Sequence, residues 1–302
     1  MLAFAGEILV DLIWEGEAPL RFSGVLGGSV LNTASALSRL GFPVRLFSEV
    51  GEDWLSAWSE EEMGKRGLEV RLQRHPLPMP LALVRLDEMG NARYSFHRPF
   101  QAPFRPEEGA LGGVSAFHFG SLFALEARTA PGVEALLEEA EGAGALLSYD
   151  PNLRHPPTEA ERGRIAGYLA RVDLLKLSWE DAMLLFPEDP LERVRRLPIP
   201  LRVLTLGPEG AVAFLGEKAV QAPGERVAVA DTMGAGDAFT AGLLALLLKR
   251  GYGKANLRAL SPEDLQEVLR GAVALAALAC TVRGASLPEE GLRAWEARFL
   301  RD

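Results

Sequence analysis

Chemistry concentrates in one short stretch, Asp231-Thr232-Met233-Gly234-Ala235-Gly236-Asp237, which runs straight into Ala238-Phe239-Thr240-Ala241-Gly242-Leu243-Leu244. The apolar part predicts a buried helix, so the glycine turn stands at a helix N-terminus. There several N–H groups lack intrahelical partners and the helix dipole is positive. Gly234 and Gly236 have no Cβ and let a ligand approach the backbone. Such a turn cradles an anion, most naturally a phosphate. Asp237, preceded by Gly234, Ala235 and Gly236, then falls in the first helical turn beside that anion. A carboxylate in this place takes the proton of a hydroxyl that attacks phosphorus. Taken alone, the same turn is also the pattern of a tight turn with a capping Asp.

Other residues could complete such a site. Asp11 ends an apolar run, and its carboxylate offers acceptors for two hydroxyls at once. Gly27-Gly28 lets a ligand lie against backbone, while Asn32 both donates and accepts. Arg98, in Phe96-His97-Arg98, is either an exposed charge or a fork for a carboxylate or ring hydroxyls. The spacing around Gly27-Gly28 is not a dinucleotide fingerprint, and no Walker loop occurs. The four histidines have no spacing that suggests a metal site or a triad.

The wider pattern around Asp237, D-T-x-G-A-G-D followed by F-x-A-G, resembles the second signature of the ribokinase-like, phosphofructokinase-B type carbohydrate kinases. Gly6-Glu7-Ile8-Leu9-Val10-Asp11 looks like that family's first strand, which ends in a sugar-binding Asp. Gly27-Gly28-Ser29-Val30-Leu31-Asn32-Thr33-Ala34 resembles its G-G-x-x-x-N-x-A loop, although Ser29-Val30-Leu31 departs from the A-P-A usual in fructokinases. Asp150-Pro151-Asn152-Leu153-Arg154 is similar to the D-P-N-x-R strand end of bacterial fructokinases, and Thr205-Leu206-Gly207-Pro208-Glu209-Gly210 matches a T-x-G-x-x-G nucleotide segment. The motifs keep the family order over nearly the whole chain.

The resemblance implies an ATP-dependent sugar kinase. Asp237 would be the base and residues 234–237 the anion hole. Asp11, Gly27, Gly28, Asn32, Arg98 and Arg154 would bind sugar, and Thr205, Gly207 and Gly210 the nucleotide. Ser178-Trp179-Glu180-Asp181 takes the place of the family's N-x-x-E motif, which organises Mg²⁺ through water; Asp181 is shorter than the usual Glu and reaches less far. Family members often bind K⁺ beside the anion hole. Asp231 and Ser286 stand where that ion would be held, and Asp231 is equally read as a turn cap. Fructose is the expected substrate. The alternatives are 2-keto-3-deoxygluconate, a nucleoside, or a non-catalytic sugar sensor on the same fold.

Positioning these residues requires a large α/β scaffold. In 302 residues, short apolar runs at 2–11, 44–50, 115–121, 145–150, 173–178, 202–207 and 211–215 alternate with helical patterns at 29–40, 54–66, 126–142, 159–170, 179–186, 237–250, 262–282 and 289–300. Such alternation predicts a mostly parallel central sheet with helices on both faces and ligands outside the carboxyl ends of the strands. Residues 12–26 and 68–103 lack helical patterns and predict a small β-sheet lid, with a hairpin turn at Asp87 to Asn91. The chain thus reads as a single ribokinase-like domain over 1–302 with this lid.

The net charge of −9, with no Lys/Arg-rich block, disfavours nucleic-acid and anionic-membrane binding. No uncharged apolar run suits a membrane span, and the start of the chain does not read as a signal peptide. The single cysteine, Cys280, reads as a small buried helix residue; with no intrachain disulfide possible, a cytoplasmic protein is expected. The exposed strand edge of the lid predicts a homodimer formed through it.

Overall fold

The computed structural model describes residues 1–300 except Ala18 and 87–91, so the hairpin turn expected at 87–91 lies outside the described residues. Nine strands make the main sheet: β1 (Leu2–Ala5), β4 (Val44–Val50), β5 (Glu69–Arg74), β8 (Ala116–Gly120), β9 (Leu146–Asp150), β10 (Leu174–Ser178), β11 (Leu201–Thr205), β12 (Gly210–Leu215) and β13 (Lys218–Pro223). Their order is β13-β12-β11-β10-β9-β8-β1-β4-β5. Pairing is parallel from β11 to β5, and antiparallel where β12 and β13 close one edge. A second sheet, in the order β3-β2-β6-β7, holds β2 (Leu9–Glu17), β3 (Leu20–Gly27), β6 (Leu81–Leu86) and β7 (Ala92–His97).

The central strands are apolar on both faces because helices cover both. On one face α1 (Ser29–Arg39), α8 (Ala235–Lys249), α9 (Pro262–Ala279) and α10 (Glu289–Phe299) bury residues such as Leu37, Leu243, Leu269 and Trp295. On the other, α4 (Ala130–Gly142), α5 (Glu159–Leu169), α6 (Trp179–Leu185) and α7 (Pro190–Arg195) bury Leu137, Tyr168, Ala182 and Val194. The helix α2 (Trp54–Lys65) starts at Asp53, whose side chain accepts from the amide of Ser56. The start of α8 falls two residues before the expected 237, which puts Gly234 at its N-cap.

Three expected elements divide differently. The run 2–11 is two strands in two sheets: the chain leaves the main sheet at Gly6-Glu7-Ile8 and enters the small sheet as β2, so Asp11 lies within β2 and not at the end of the first main-sheet strand. Both strands are apolar, and a change of sheet leaves no mark on such a run. The helix expected at 126–142 begins only at 130, as α4, and a separate short helix, α3 (Ser121–Leu125), precedes it, because Glu126 is extended and Pro131 suits the first turn of a new helix. Residues 69–74, grouped with the lid from sequence, form β5, an edge strand of the main sheet parallel to β4. Alternating half-buried residues define an edge strand without saying which sheet it edges.

Candidate active site

The turn before α8 divides two cavities. Met233, Gly234 and Asp237 line a small pocket of about 60 Å³. Thr232, Ala235 and Gly236 line a large cavity of about 720 Å³. The turn needs its glycine: Gly234 has φ 77°, and a Cβ there would lie 2.6 Å from Cβ of Ala285. The Ala235 amide is spent on the carbonyl of Thr232, at 3.2 Å. Among the described residues, the amides of Gly234, Gly236 and Asp237 meet no acceptor, so they are the donors free for an anion.

The small pocket joins both sheets. The small sheet supplies Leu9 and Asp11 from β2 and Tyr94 and Phe96 from β7; α1 supplies Ser29 and Asn32; Glu7, Gly28, Ser121, Leu122 and Arg154 complete the wall. Asp11 lies against Gly27, where a Cβ would fall 2.0 Å from its Oδ2, so only glycine admits the carboxylate here. Burial pushes the Asp11 carboxyl up to about 7, against the pull of Arg154 and with the push of Asp237 and Glu7. Asp237 is raised by removal from water and pulled back by hydrogen bonds from Ser29 and Asn32. Asn32 donates to Asp237 Oδ2 at 2.8 Å, while its own Oδ1 is buried without a partner among the described residues. Tyr94 and Phe96 stack at 5.7 Å, and both pack with Leu9, Ala82 and Val84 as the core of the small sheet while facing the pocket. The guanidinium of Arg154 lies 5.0 Å over the Tyr94 ring.

Arg98 is not in this wall. It pairs with Glu126 and lines a neighbouring cleft with Glu49, Phe100 and Arg128, where Arg128 also pairs with Glu49 at 2.8 Å. It stands two residues beyond Phe96, just past the end of β7, and falls outside the pocket.

Thr205, Gly207 and Gly210 all line the large cavity, together with Val227, Phe239, Val273, Ala276, Ala277 and Cys280. Cys280 is half-buried at the C-cap of α9, and burial raises its thiol.

Beneath the anion turn lies a buried charge pair that motif reading missed. Lys176 Nζ donates to Asp150 Oδ2 at 2.9 Å, and a Cβ on Gly236 would be 3.2 Å from that ammonium. Burial opposes the charge of Lys176, but Asp150 and Asp181 outweigh it and hold the ammonium protonated. The signal in the sequence was one lysine inside the apolar strand Leu174-Leu175-Lys176-Leu177. Ser29 and Glu7 were likewise unassigned; Glu7 accepts from the amide of Phe123 at 3.1 Å.

Asp181 is a helix cap. Its Oδ2 accepts from the amide and hydroxyl of Ser178, which caps α6 in return, and its Oδ1 accepts from the amide of Leu153 at 2.7 Å. Ser178 thus fills Oδ2, while Oδ1 keeps one acceptor site, and among the described residues no group of three or more His, Cys, Asp or Glu could hold a metal directly. Asp231 accepts from Met233 at 3.0 Å and from Gly284 at 2.9 Å, tying the anion turn to the turn that contains Ser286.

Known proteins carry the same construction. The profile of the pfkB family carbohydrate kinases matches residues 1–291, and the chain belongs to this family. It is a phosphotransferase with an alcohol group of a carbohydrate as acceptor. A fructokinase from Rhizobium leguminosarum bv. trifolii is 31% identical over 265 residues, 82% of this chain and 79% of the relative. The solved fructokinase with bound ATP from Xylella fastidiosa superposes with a TM-score of 0.88 at 27% identity, over 98% of each chain. A doubly substituted fructokinase from Vibrio cholerae O395, solved with fructose, ADP and potassium, gives 0.81 at 25% identity over 99% of this chain and 98% of that one.

Proposed function

We propose that the chain transfers the γ-phosphoryl group of ATP to the primary hydroxyl of fructose. The observation that carries the reading is the anion turn standing between a small charged pocket and a large apolar cavity. Fructose would occupy the small pocket, accepted by Asp11 and by the unpartnered Oδ1 of Asn32. ATP would occupy the large cavity, its base against Val273, Ala276 and Ala277 and its phosphates toward Thr205, Gly207, Gly210 and the turn.

Asp237 faces the sugar side of the turn and takes the hydroxyl proton. The freed oxygen forms a bond to the γ-phosphorus as the bond from that phosphorus to the bridging β-phosphate oxygen breaks, and ADP leaves. The amides of Gly236 and Asp237 and the nearby Lys176 counter the negative charge on the transferring group. Position and electrostatics supply the rate.

Mg²⁺ accompanies ATP in this reading, carried chiefly by the phosphates, and no step is assigned to a protein-bound ion. Asp231, bonded to the amide of Gly284 two residues before Ser286, would hold K⁺ together with Ser286, and the charge of that ion would add to the cradle. Replacing K⁺ by tetramethylammonium should then lower turnover; unchanged turnover refutes that part.

Dimerisation would cover the exposed side chains Leu20 and Phe22 of β3. Sedimentation showing only monomer at micromolar concentration refutes it. No helix among the described residues is long and apolar enough to cross a membrane. The acidic chain has no nucleic-acid partner in this reading and works in the cytoplasm.

A second reading, 2-keto-3-deoxygluconate as substrate, is favoured by one observation: the Arg154 guanidinium lines the pocket and could fork onto a carboxylate. Initial rates with ATP and each sugar decide between them. A higher kcat/KM for the acid overturns fructose, and phosphorylation of neither overturns both.

A further inference from the structure

The N-terminal turn of α1 grips the first turn of α8. Ser29 Oγ donates to Asp237 Oδ1 at 2.6 Å, Asn32 Nδ2 donates to Oδ2 at 2.8 Å, and Thr33 Oγ1 reaches the Asp237 carbonyl at 3.3 Å. The three donors sit at positions i, i+3 and i+4 of one helix and so share a face. Asn32 alone would hold one carboxylate oxygen and leave the group free to turn about its last torsion. A second donor on the other oxygen fixes the plane.

We propose that Ser29 is a positioning residue for phosphoryl transfer, its hydroxyl fixing the plane of the Asp237 carboxylate so that the remaining lone pairs face the sugar pocket. The proposal rests on Asp237 being the base. Each oxygen has about two acceptor sites, so one donor apiece leaves one apiece for the sugar hydroxyl. A base that must meet a proton at about 3 Å or less gains rate from being held in one orientation.

The same bond has an electrostatic effect. Removal from water pushes the Asp237 carboxyl up; the bonds from Ser29 and then Asn32 pull it down. Asp150 pushes it up and Lys176 pulls it down from the main sheet; Asp11 and Tyr94 face it from the small sheet, and Glu7 and Arg154 complete the pocket. Without the Ser29 hydroxyl the ionised base is less favoured, so the acidic limb of the rate profile moves to higher pH.

The test is the single-turnover rate with ATP, from pH 5.5 to 9, on whichever sugar the unmodified protein phosphorylates. Ser29→Ala should lose roughly threefold on the alkaline plateau and more toward the acidic end, where the limb should rise by about half a unit or more. Ser29→Thr keeps the hydroxyl and should stay within about twofold of the unmodified protein, with its limb restored. Affinity for ATP should not change in either. A loss in Ser29→Ala that is equal at every pH, no loss at all, or a folded Ser29→Thr that fails to restore the limb overturns the proposal. Melting curves separate loss of fold from loss of rate. Should Ser29→Ala not fold, Ser29→Cys, a weaker donor of similar size, must show the same direction of shift. Asp237→Asn is the control: full activity there removes the base and not merely the role of Ser29.

Discussion

The two cavities on either side of the anion turn are built on opposite principles. The pocket proposed for the sugar is about 60 Å³ and collects three carboxyl groups and a guanidinium, Glu7, Asp11, Asp237 and Arg154. The cavity proposed for the nucleotide is about 720 Å³ and is mostly apolar, with Val273, Ala276, Ala277 and Phe239 in its wall and the charged side chains Glu225 and Arg226 also lining it. An apolar wall holds a flat ring by area removed from water and asks little about angles. A wall of carboxylates and amides has fixed lone-pair directions and penalises any group left unpaired. Discrimination, pH sensitivity and mutational damage should therefore gather on the sugar side, and the nucleotide side should tolerate change.

The largest asymmetry is expected at the shared turn. Asp237→Asn keeps the shape and removes the proton acceptor on the sugar side alone. Turnover should fall by about 10²-fold or more, with ATP affinity within about twofold of the original. Parallel measurements of turnover and of ATP binding check both halves; a matched loss in the two would erase the division.

Lys176→Met probes the support under the turn. It leaves the Asp150 carboxylate buried with no cation, and breaking one half of a buried pair costs about 3–5 kcal/mol. The melting temperature should drop accordingly, and Lys176→Met combined with Asp150→Leu should regain much of it. A single variant that melts normally shows that water already reaches the pair.

These effects also show how far the residues announced themselves. The parallel scaffold was legible because apolar strands and helices alternate. The anion turn was legible because glycine at 234 and the polar-to-apolar change at 237 have local causes. The sharing of Leu2 to Asp11 between two sheets was not, since both sheets bury both faces of that run. Arg98 had the right chemistry and lies beside Glu126 instead, because its partner is distant in sequence. Lys176 and Ser29 act through contacts 26 and 208 residues away, which no spacing rule reaches. The motif gives Asp181 a water-mediated Mg²⁺ role, and Ser178 and Asp181 at three-residue spacing also spell a capping box, which the fold forms.

The pH dependence should likewise belong to one side. Asp11 titrates at about 7 because burial disfavours its charge. Only the ionised carboxylate accepts from two hydroxyls, so kcat/KM for the sugar should fall by up to about tenfold per pH unit below 7, while KM for ATP at saturating sugar stays flat. Asp11→Asn should weaken sugar binding and remove the Asp11 part of this limb, leaving the part that belongs to Asp237. Stability moves in the opposite sense. The folded chain keeps this proton between the ordinary carboxyl value of 3.8 and about 7, so the contribution of Asp11 is fully present below 3.8 and is lost as the pH rises through 7. An equal limb in both kinetic constants would assign the titration to a group outside the pocket.

The smallest effect is expected on the apolar side. Ala277 is half-buried in the nucleotide cavity, with about 720 Å³ of open space in front of it. Ala277→Leu adds three carbons to a wall that holds its ligand by contact area. Leucine fits α9 as well as alanine does to within a few tenths of a kcal/mol, so the helix should not suffer. The added side chain narrows the space for the base and also offers it new apolar surface, and the two changes oppose each other. KM for ATP should change by about threefold or less, with turnover and sugar KM unaltered. On the sugar side Ser121→Leu exchanges a hydroxyl for the same three carbons with about 60 Å³ to enter and should raise the sugar KM by at least tenfold, with a melting curve to check that leucine is tolerated at φ 56°. If the two variants cost the same, cavity size and chemistry do not set the tolerance of the two sides.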